Sequence, residues 1–238
     1  MKKKRILALS LYHHADEMEG IAQYAREAGW ALDFVVCSRV DIPQNRHFDG
    51  LLLIHPYLNK KLTDYLTQST IPKVLIGRPS SNLKIPYVWH DYEKSINLAA
   101  NYFLARSYQN LSLVKHQRYL DEIKRVEKNI NEQRGQVFYL QPDSLKADLL
   151  KAPKPLAIIA PDDEWAQRLY RICEDQQLQV PEEVAIIGTS NTRHSCEFNI
   201  IPLSSVDTQV SRCAYLATQK LDQMMQGQEV QSEFLPPR

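Results

Sequence analysis

Short apolar runs recur along the whole chain, and most are followed by a segment with helical periodicity. Pairs such as Ile158-Ile159 and Ile186-Ile187 show no alternation with polar residues, which is typical of strands covered by helices on both faces. The pattern predicts nine strands, over residues 5–11, 31–37, 51–55, 73–77, 87–89, 111–115, 136–140, 156–160 and 184–188.

Four of the intervening segments carry a single apolar stripe at helical spacing, and each predicts a helix. The first ends at Gly29 and the last at Gly227, in agreement with the preference for glycine at helix ends. Strands alternating with helices predict an α/β protein with parallel sheets. The stripes consist of Met18, Ile21, Ala22 and Ala25; Tyr92, Ile96, Ala99 and Phe103; Ala166, Leu169 and Cys173; and Val210, Ala214, Ala217, Leu221 and Met224.

About ten strands are enough for two sheets, and the middle of the chain favours two. Residues 107–110 lie between a helix and a new strand, as a crossing between two similar halves would. We therefore predict two doubly wound parallel-sheet lobes. In such sheets the ligand binds outside the carboxyl ends of the strands, and where two lobes face each other it binds in the cleft between them.

Charge and glycine content exclude several functional classes. The 238 residues include 29 Lys and Arg against 28 Asp and Glu, which gives a net charge of +1. A nucleic-acid-binding domain normally has a strongly basic surface, and this composition does not predict one. The seven glycines form neither G-x-G-x-x-G nor G-x-x-x-x-G-K-[ST], and no G-x-S-x-G is present. Dinucleotide-binding, phosphate-loop and serine-hydrolase classes are therefore disfavoured.

The cysteine pattern and the apolar runs bear on location. The four cysteines are scattered and form no C-x-x-C pair, so they predict buried thiols in a reducing compartment. No apolar stretch approaches the roughly 20 residues that span a bilayer. We expect a cytoplasmic protein without a membrane partner.

Polar and aromatic residues follow the predicted strands, where ligands bind in sheets of this kind. We expect a site in which His, Asp, Asn and Arg bind the hydroxyls of a small ligand, while Trp89 or Trp165 covers its apolar face. Asp91 and Asp163 each lie where a helix N-cap is needed. Five of the seven histidines also lie at strand ends: His13, His14, His55, His90 and His116.

Two alternatives stay open on the residues themselves. Imidazoles from separate strand ends can converge on one metal ion, although no H-E-x-x-H spacing is present. The cluster Asp162-Asp163-Glu164 could act as a general acid and base, although carboxylates at a helix start more often interact with the helix dipole. We expect neither a catalytic residue nor a metal or other cofactor.

Several segments resemble the sugar-binding domains of LacI/GalR-type regulators. Residues 155–166, PLAIIAPDDEWA, and 179–188, QVPEEVAIIG, match the family patterns P-x-A-I-x-A-x-x-D-x-x-A and V-P-x-D-V-x-V-I-G. Residues 201–207, IPLSSVD, look like the P-x-L-T-T-V segment where the family's chain crosses between lobes. The resemblance implies a periplasmic-binding-protein-like fold and a sensor of a pentose or hexose, working as a homodimer.

Within that superfamily, residues 18–24, 171–174 and 234–238 look most similar to the effector domain of xylose-responsive regulators of AraC type. The resemblance implies a DNA-binding domain that follows the effector domain and is absent from this chain, so DNA is a partner only through that domain. It implies an N-terminal lobe of residues 1–109 and 207–228 and a C-terminal lobe of residues 110–206 and 229–238. The alternatives are a free-standing cytoplasmic solute-binding protein and, less favoured, an enzyme.

The resemblance also implies which residues contact the ligand. A basic residue in the helix after the sixth strand is expected in the cleft, and Arg125 is the first candidate, with Arg118 second. Many family members have Asp where this chain has Ser190, and Asp91 precedes Tyr92 instead of the usual Asn. The remaining contacts fall on His13, His14, His55, Asp91, Asp163, Ser190 and Asn191.

Overall fold

The structure, a computed structural model, describes residues 3–10, 15–36, 46–56, 58–78, 83–115, 119–197 and 202–238. Strands and helices alternate along the chain. They are β1 (Arg5–Ser10), α1 (Ala15–Glu27), β2 (Ala31–Val36), β3 (Gly50–Ile54), α2 (Lys60–Gln68), β4 (Lys73–Ile76), β5 (Tyr87–His90), α3 (Tyr92–Leu104), β6 (Asn110–Val114), α4 (Leu120–Glu132), β7 (Gln136–Leu140), α5 (Leu145–Lys151), β8 (Leu156–Ile159), α6 (Asp163–Asp175), β9 (Val184–Thr189), α7 (Arg193–Glu197), β10 (Ser205–Val206), α8 (Val210–Met225) and β11 (Glu233–Leu235).

The chain divides into two compact units, each built on one parallel sheet. Unit 1 comprises Met1–His90 and Val210–Leu235, and its strands lie in the order β2-β1-β3-β4-β5-β11. Unit 2 comprises Asp91–Gln209 and Pro236–Arg238, with the order β7-β6-β8-β9-β10. All described strand pairs are parallel. The prediction of an α/β fold with two parallel-sheet lobes is confirmed.

In unit 1 the central strands are buried on both faces because helices cover both. All five residues of β3 are buried. On one face Leu52 and Ile54 pack with residues of α1 and α8, and on the other Leu51 and Leu53 pack with α2. Continuous apolar runs in the sequence therefore mark the strands that lie between two helical layers.

Unit 2 repeats this arrangement with its own helices. Leu111 and Leu113 of β6 pack with α3 and α4 on one face of the sheet. Leu156 and Ile158 of β8 pack with α5 and α6 on the other. The apolar stripe predicted for α3 thus belongs to the core of unit 2.

The division of the chain differs from the expected one at three places, of which the shortest is residues 207–209, expected in the first lobe and lying in unit 2. Residues 1–109 were expected in one lobe, but the division falls between His90 and Asp91 because α3 packs in unit 2. Residues 229–238 were expected in the other lobe, but β11 pairs with β5 in unit 1. All nine predicted strands are present, and the sequence pattern missed β10 and β11, which have only two and three residues.

Helices α1 and α8 approach closely at Gly20, and this contact predicts a large mutational effect. A Cβ atom at residue 20 would lie 2.0 Å from the backbone oxygen of Ser211. We expect Gly20→Ala to destabilise the protein by about 1–3 kcal/mol or more, because the two helices have to separate. The measurement is the midpoint of urea unfolding.

Gly29→Asn is the matched control. Gly29 has a left-handed φ of +67°, a Cβ atom at this residue would meet no other atom within 4 Å, and asparagine tolerates this conformation. The control should cost less than about 1 kcal/mol. Equal urea midpoints for the two variants would show that the contact between α1 and α8 is not tight.

Candidate ligand-binding site

The strand order places the candidate site at the carboxyl ends of the strands in each unit. In unit 1 the order reverses between β1 and β3, and in unit 2 between β6 and β8. Ligands of doubly wound sheets bind outside the carboxyl ends at such reversals. His55 follows β3 directly. The predicted contacts His13 and His14, which follow β1, and Arg118, which follows β6, lie outside the described residues.

In unit 1 the structure brings His55 and Trp89 together, as the sequence analysis expected for two site residues. Their rings meet edge to face with centroids 4.5 Å apart. His55 has a left-handed φ of 42°, and its Nε2 lies 3.1 Å from Oε1 of Glu17. Glu17 is buried in the first turn of α1 and was missed by the sequence analysis, because a carboxylate there is usually a solvated helix-dipole partner.

The residue after β4 has to be glycine for His55 to occupy this place. A Cβ atom at residue 77 would lie 2.9 Å from Nδ1 of His55, and Gly77 has a φ of +136°.

The buried thiol near Glu17 is that of Cys213, and it carries no charge near neutral pH. Burial, with the charge of Glu17 as a further cause, raises the pKa of Cys213 to about 12. The Glu17 carboxylate thus faces a neutral thiol and the His55 imidazole.

The feature of Trp89 that stands out is its indole N–H, because its ring faces are covered. Trp89 is only 7% exposed, and its ring contacts those of His55 and His90. Its Nε1 is buried and has no hydrogen-bond partner among the described residues. An indole N–H in this position is a buried donor whose hydrogen bond is not made by the described residues.

In unit 2 two carboxylates cap helices at the carboxyl edge of the sheet. Asp91 caps α3 as predicted, because it accepts a hydrogen bond from the backbone N–H of Lys94 at 3.1 Å. The prediction that Asp163 caps α6 is wrong by one residue. Asp162 is the cap and accepts from the N–H of Trp165 at 2.8 Å, since the helix begins at Asp163.

Asp162 is a candidate site residue that the sequence analysis did not select. It lies three residues beyond the last residue of β8, Ile159, at the reversal of strand order in unit 2. Burial raises the pKa of Asp162 to about 6, with repulsion from Glu164 and Asp163 as further causes. Perturbed carboxyls of this kind are frequent at functional sites. The paired aspartates after a strand were the signal in the sequence, and the predicted contact was the second of them, Asp163.

Asp163 is held inside the protein. Its side chain accepts hydrogen bonds from the backbone N–H and the hydroxyl of Thr192, at 2.7 and 2.9 Å, and from the hydroxyl of Ser205 at 2.5 Å. The residue is 1% exposed. The structure therefore places this predicted ligand contact among protein donors.

Ser190 and Asn191 form a left-handed pair directly after β9. Their φ angles are 129° and 57°, values that are uncommon for residues other than glycine. The backbone N–H of Ser190 donates to Val206, and that of Asn191 donates to the hydroxyl of Ser205. Their side chains have no hydrogen-bond partner within the described part of the chain, and that of Asn191 is exposed. They remain available to a ligand.

The last two predicted residues interact with their own surroundings. Arg125 donates from Nε to Oε2 of Glu93 at 2.6 Å, and this hydrogen bond raises the pKa of Arg125 further. The pair links α4 to the first turn of α3 on an exposed surface. Trp165 is half-buried and packs beneath the guanidinium of Arg168, which lies 5.0 Å from its ring centre.

Two findings on the described residues bear on the alternatives. No group of three or more His, Cys, Asp or Glu side chains is placed there to hold a metal ion. No helix in the described ranges combines the length and apolar character needed to cross a membrane. Neither finding extends to His13 and His14, which lie outside those ranges.

Comparisons with known proteins agree with this architecture. The xylose operon regulatory protein of Haemophilus influenzae is 22% identical over 92% of this chain, which spans 64% of that protein's length. A LacI-family transcriptional regulator from Enterococcus faecium with bound ribose covers 99% of the chain, at 18% identity and a TM-score of 0.79, over 96% of its own chain. A LacI transcriptional regulator from a Rhodococcus species has a TM-score of 0.84 at 15% identity, covering 99% of this chain and 96% of its own.

A family model confirms the periplasmic-binding-protein-like part of the resemblance. Residues 87–238, well over half of the chain, match the model of the periplasmic binding protein-like domain. The fold in each unit and the similarity to LacI-type regulators agree with that match. The chain therefore belongs to the periplasmic binding protein-like domain family.

Proposed function

We propose that this chain is the effector-binding domain of a bacterial transcription regulator and that it binds a small sugar, a pentose or a hexose. The observation that carries the proposal is the set of hydrogen-bonding groups left without protein partners, among the described residues, at the carboxyl ends of the strands. These are the indole N–H of Trp89 and the side chains of Ser190 and Asn191. The names of the relatives, a xylose operon regulator and a ribose-bound regulator, support a sugar as the ligand.

The chemistry of these groups suits a polyol. Each sugar hydroxyl both donates and accepts, so it needs acceptors such as the carboxylate of Asp162 and donors such as the Trp89 N–H. The amide of Asn191 does both. His55, whose Nε2 lies 3.1 Å from Oε1 of Glu17, packs beside Trp89. On the resemblance to the sugar-binding family, we propose His13, His14, Asp91, Arg125 and Trp165 as further ligand contacts.

A sugar can regulate the protein if it binds two of its conformations with unequal affinity. A sugar that binds one conformation of the protein more tightly shifts the equilibrium by that difference in binding free energy and no more. We propose that DNA is contacted by a domain of AraC type attached to this one, in a cytoplasmic homodimer. The support is the similarity to the xylose operon regulatory protein, of which this chain spans 64%.

A thermal-shift panel of pentoses, hexoses, sugar acids and divalent metals tests the ligand class. A ligand that binds only the folded state adds RT ln(1 + [L]/Kd), about 2.7 kcal/mol at a hundredfold excess over Kd. We expect one sugar to raise the unfolding midpoint selectively. A panel in which no sugar shifts the midpoint, while a metal or a sugar acid does, would refute the proposal.

Trp89→Phe tests the unpartnered indole N–H. We expect sugar affinity, measured by calorimetric titration, to fall about tenfold, because a ligand hydroxyl loses its donor. Trp30→Phe is the control, since Trp30 lies in the same core cluster and is 9% exposed. Trp30→Phe should leave the sugar affinity within twofold. It should lower the free energy of unfolding more than Trp89→Phe does, because Trp89→Phe also relieves the cost of a buried N–H without a partner. An unchanged affinity for Trp89→Phe removes the indole from the site.

Asp162→Asn tests the perturbed carboxyl through its pH dependence. Because the folded-state pKa is about 6, above the unfolded value, the contribution of this carboxyl group to stability is greatest at low pH and is lost as pH rises through 6. The asparagine variant keeps a cap acceptor and should be more stable than wild type at pH 7.5, by up to about 2 kcal/mol. This advantage should disappear near pH 4, while sugar affinity at pH 7.5 falls. The measurement is urea unfolding of wild type and Asp162→Asn at the two pH values. Equal free energies of unfolding for the two proteins at pH 7.5 would contradict the prediction.

A further inference from the structure

We propose that Asp163 is a positioning residue, which sets the sugar affinity of the loop of residues 190–192 without touching the sugar. The inference rests on the proposed function, because it assigns a role within the same site. It differs from the expectation that Asp163 binds the ligand directly. Four observations on unit 2 carry it.

The first observation is that the Asp163 carboxylate is buried and already accepts from several protein donors. A carboxylate offers about four acceptor positions on its two oxygens. Ser205 donates to Oδ1, while the N–H and hydroxyl of Thr192 donate to Oδ2, and the thiol of Cys196 lies 3.7 Å from Oδ2. With 1% of the residue exposed, a sugar hydroxyl would have to displace one of these donors.

The second observation is that the bonds of Asp163 lead directly to the loop. Thr192 is the third residue of the loop and is bound through both its backbone and its side chain. The hydroxyl of Ser205 donates to Asp163 and at the same time accepts from the N–H of Asn191 at 3.0 Å. Ser205 is thus a relay between the carboxylate and the exposed Asn191.

The third observation is that the loop needs to be held. Two consecutive residues other than glycine adopt left-handed φ angles, which are sterically strained for residues that carry a Cβ atom. Such backbone persists where the surroundings fix it, and here the surroundings are Asp163, Ser205 and the pairing of Ser190 with Val206. Without the carboxylate, the loop should relax to other conformations.

The fourth observation is that the carboxylate lies against β9 with no space to spare. A Cβ atom at Gly188 would lie 2.3 Å from Oδ1 of Asp163. The neighbouring thiol stays protonated and able to donate, since burial and then the charge of Asp163 raise the pKa of Cys196 to about 12. The strand, the helix start and the loop are therefore fixed around one carboxylate.

A double-mutant cycle distinguishes positioning from contact. Asp163→Asn is measured alone and together with Asn191→Ala, by calorimetric titration with the sugar that gives the thermal shift. If Asp163 acts through the loop, Asp163→Asn lowers affinity tenfold or more in the wild-type background and less than threefold in the Asn191→Ala background. An equal loss in both backgrounds would mean direct contact and would overturn the inference.

The matched control is Asp148→Asn. Asp148 is another carboxylate of unit 2 that accepts from a backbone N–H and a serine hydroxyl, those of Gln141 and Ser144, but it has no bond to the loop. Its variant should leave sugar affinity within twofold. A loss as large as that of Asp163→Asn would indicate general destabilisation and would count against positioning.

A measurement without sugar separates this inference from the proposed function. We expect Asp163→Asn to speed hydrogen exchange at the amides of Asn191 and Thr192 at least tenfold in the unliganded protein, while exchange in β6 stays unchanged. Ser205→Ala removes only the relay and should speed exchange at Asn191; it carries the test if Asp163→Asn fails to fold. Unchanged exchange overturns the inference, whereas a panel without any sugar binder overturns the proposed function and leaves the exchange result standing.

Discussion

Parallel strand pairing is the constraint on which the rest of the structure depends. A strand can pair in parallel with a later one only after the chain crosses back over a face of the sheet, so each connection needs a helix or a long loop. Every strand-to-helix junction in a unit therefore emerges at the same edge of its sheet. His55, Gly77 and Trp89 come from β3, β4 and β5, and they meet for this reason.

The same constraint explains which parts of the fold could be predicted. The central strands, which are covered on both faces, need unbroken apolar runs, and with the more exposed β2 and β7 they make nine strands that the sequence pattern predicts. β10 and β11 are too short to form a pattern, and their strand character comes from pairing with β9 and β5. The stripe of α3 predicted a helix correctly, but an apolar stripe does not say which sheet it covers.

The site could be predicted to the level of the strand end and no further. The rule that ligands bind beyond strand ends selected a group of residues, and the fold brings two of them, His55 and Trp89, into contact. The difference between Asp162 and Asp163 depends on where α6 begins, a matter of one residue. Glu17 faces the site from a helix, and its burial beside His55 is a tertiary contact that no local pattern carries.

A carboxylate at residue 163 suits the donors around it better than an amide would. Asparagine offers only one acceptor oxygen, so if that oxygen accepts from Thr192, its amide nitrogen faces Ser205 and the hydroxyl proton of Ser205 loses its acceptor. The negative charge also strengthens each bond, because charge-assisted hydrogen bonds are shorter and stronger than neutral ones. Four neutral donors can compensate the desolvation cost of a buried carboxylate, whereas a single donor would not. The strained left-handed conformation of Ser190 and Asn191 is therefore held by hydrogen bonds that lead back to the buried carboxylate of Asp163.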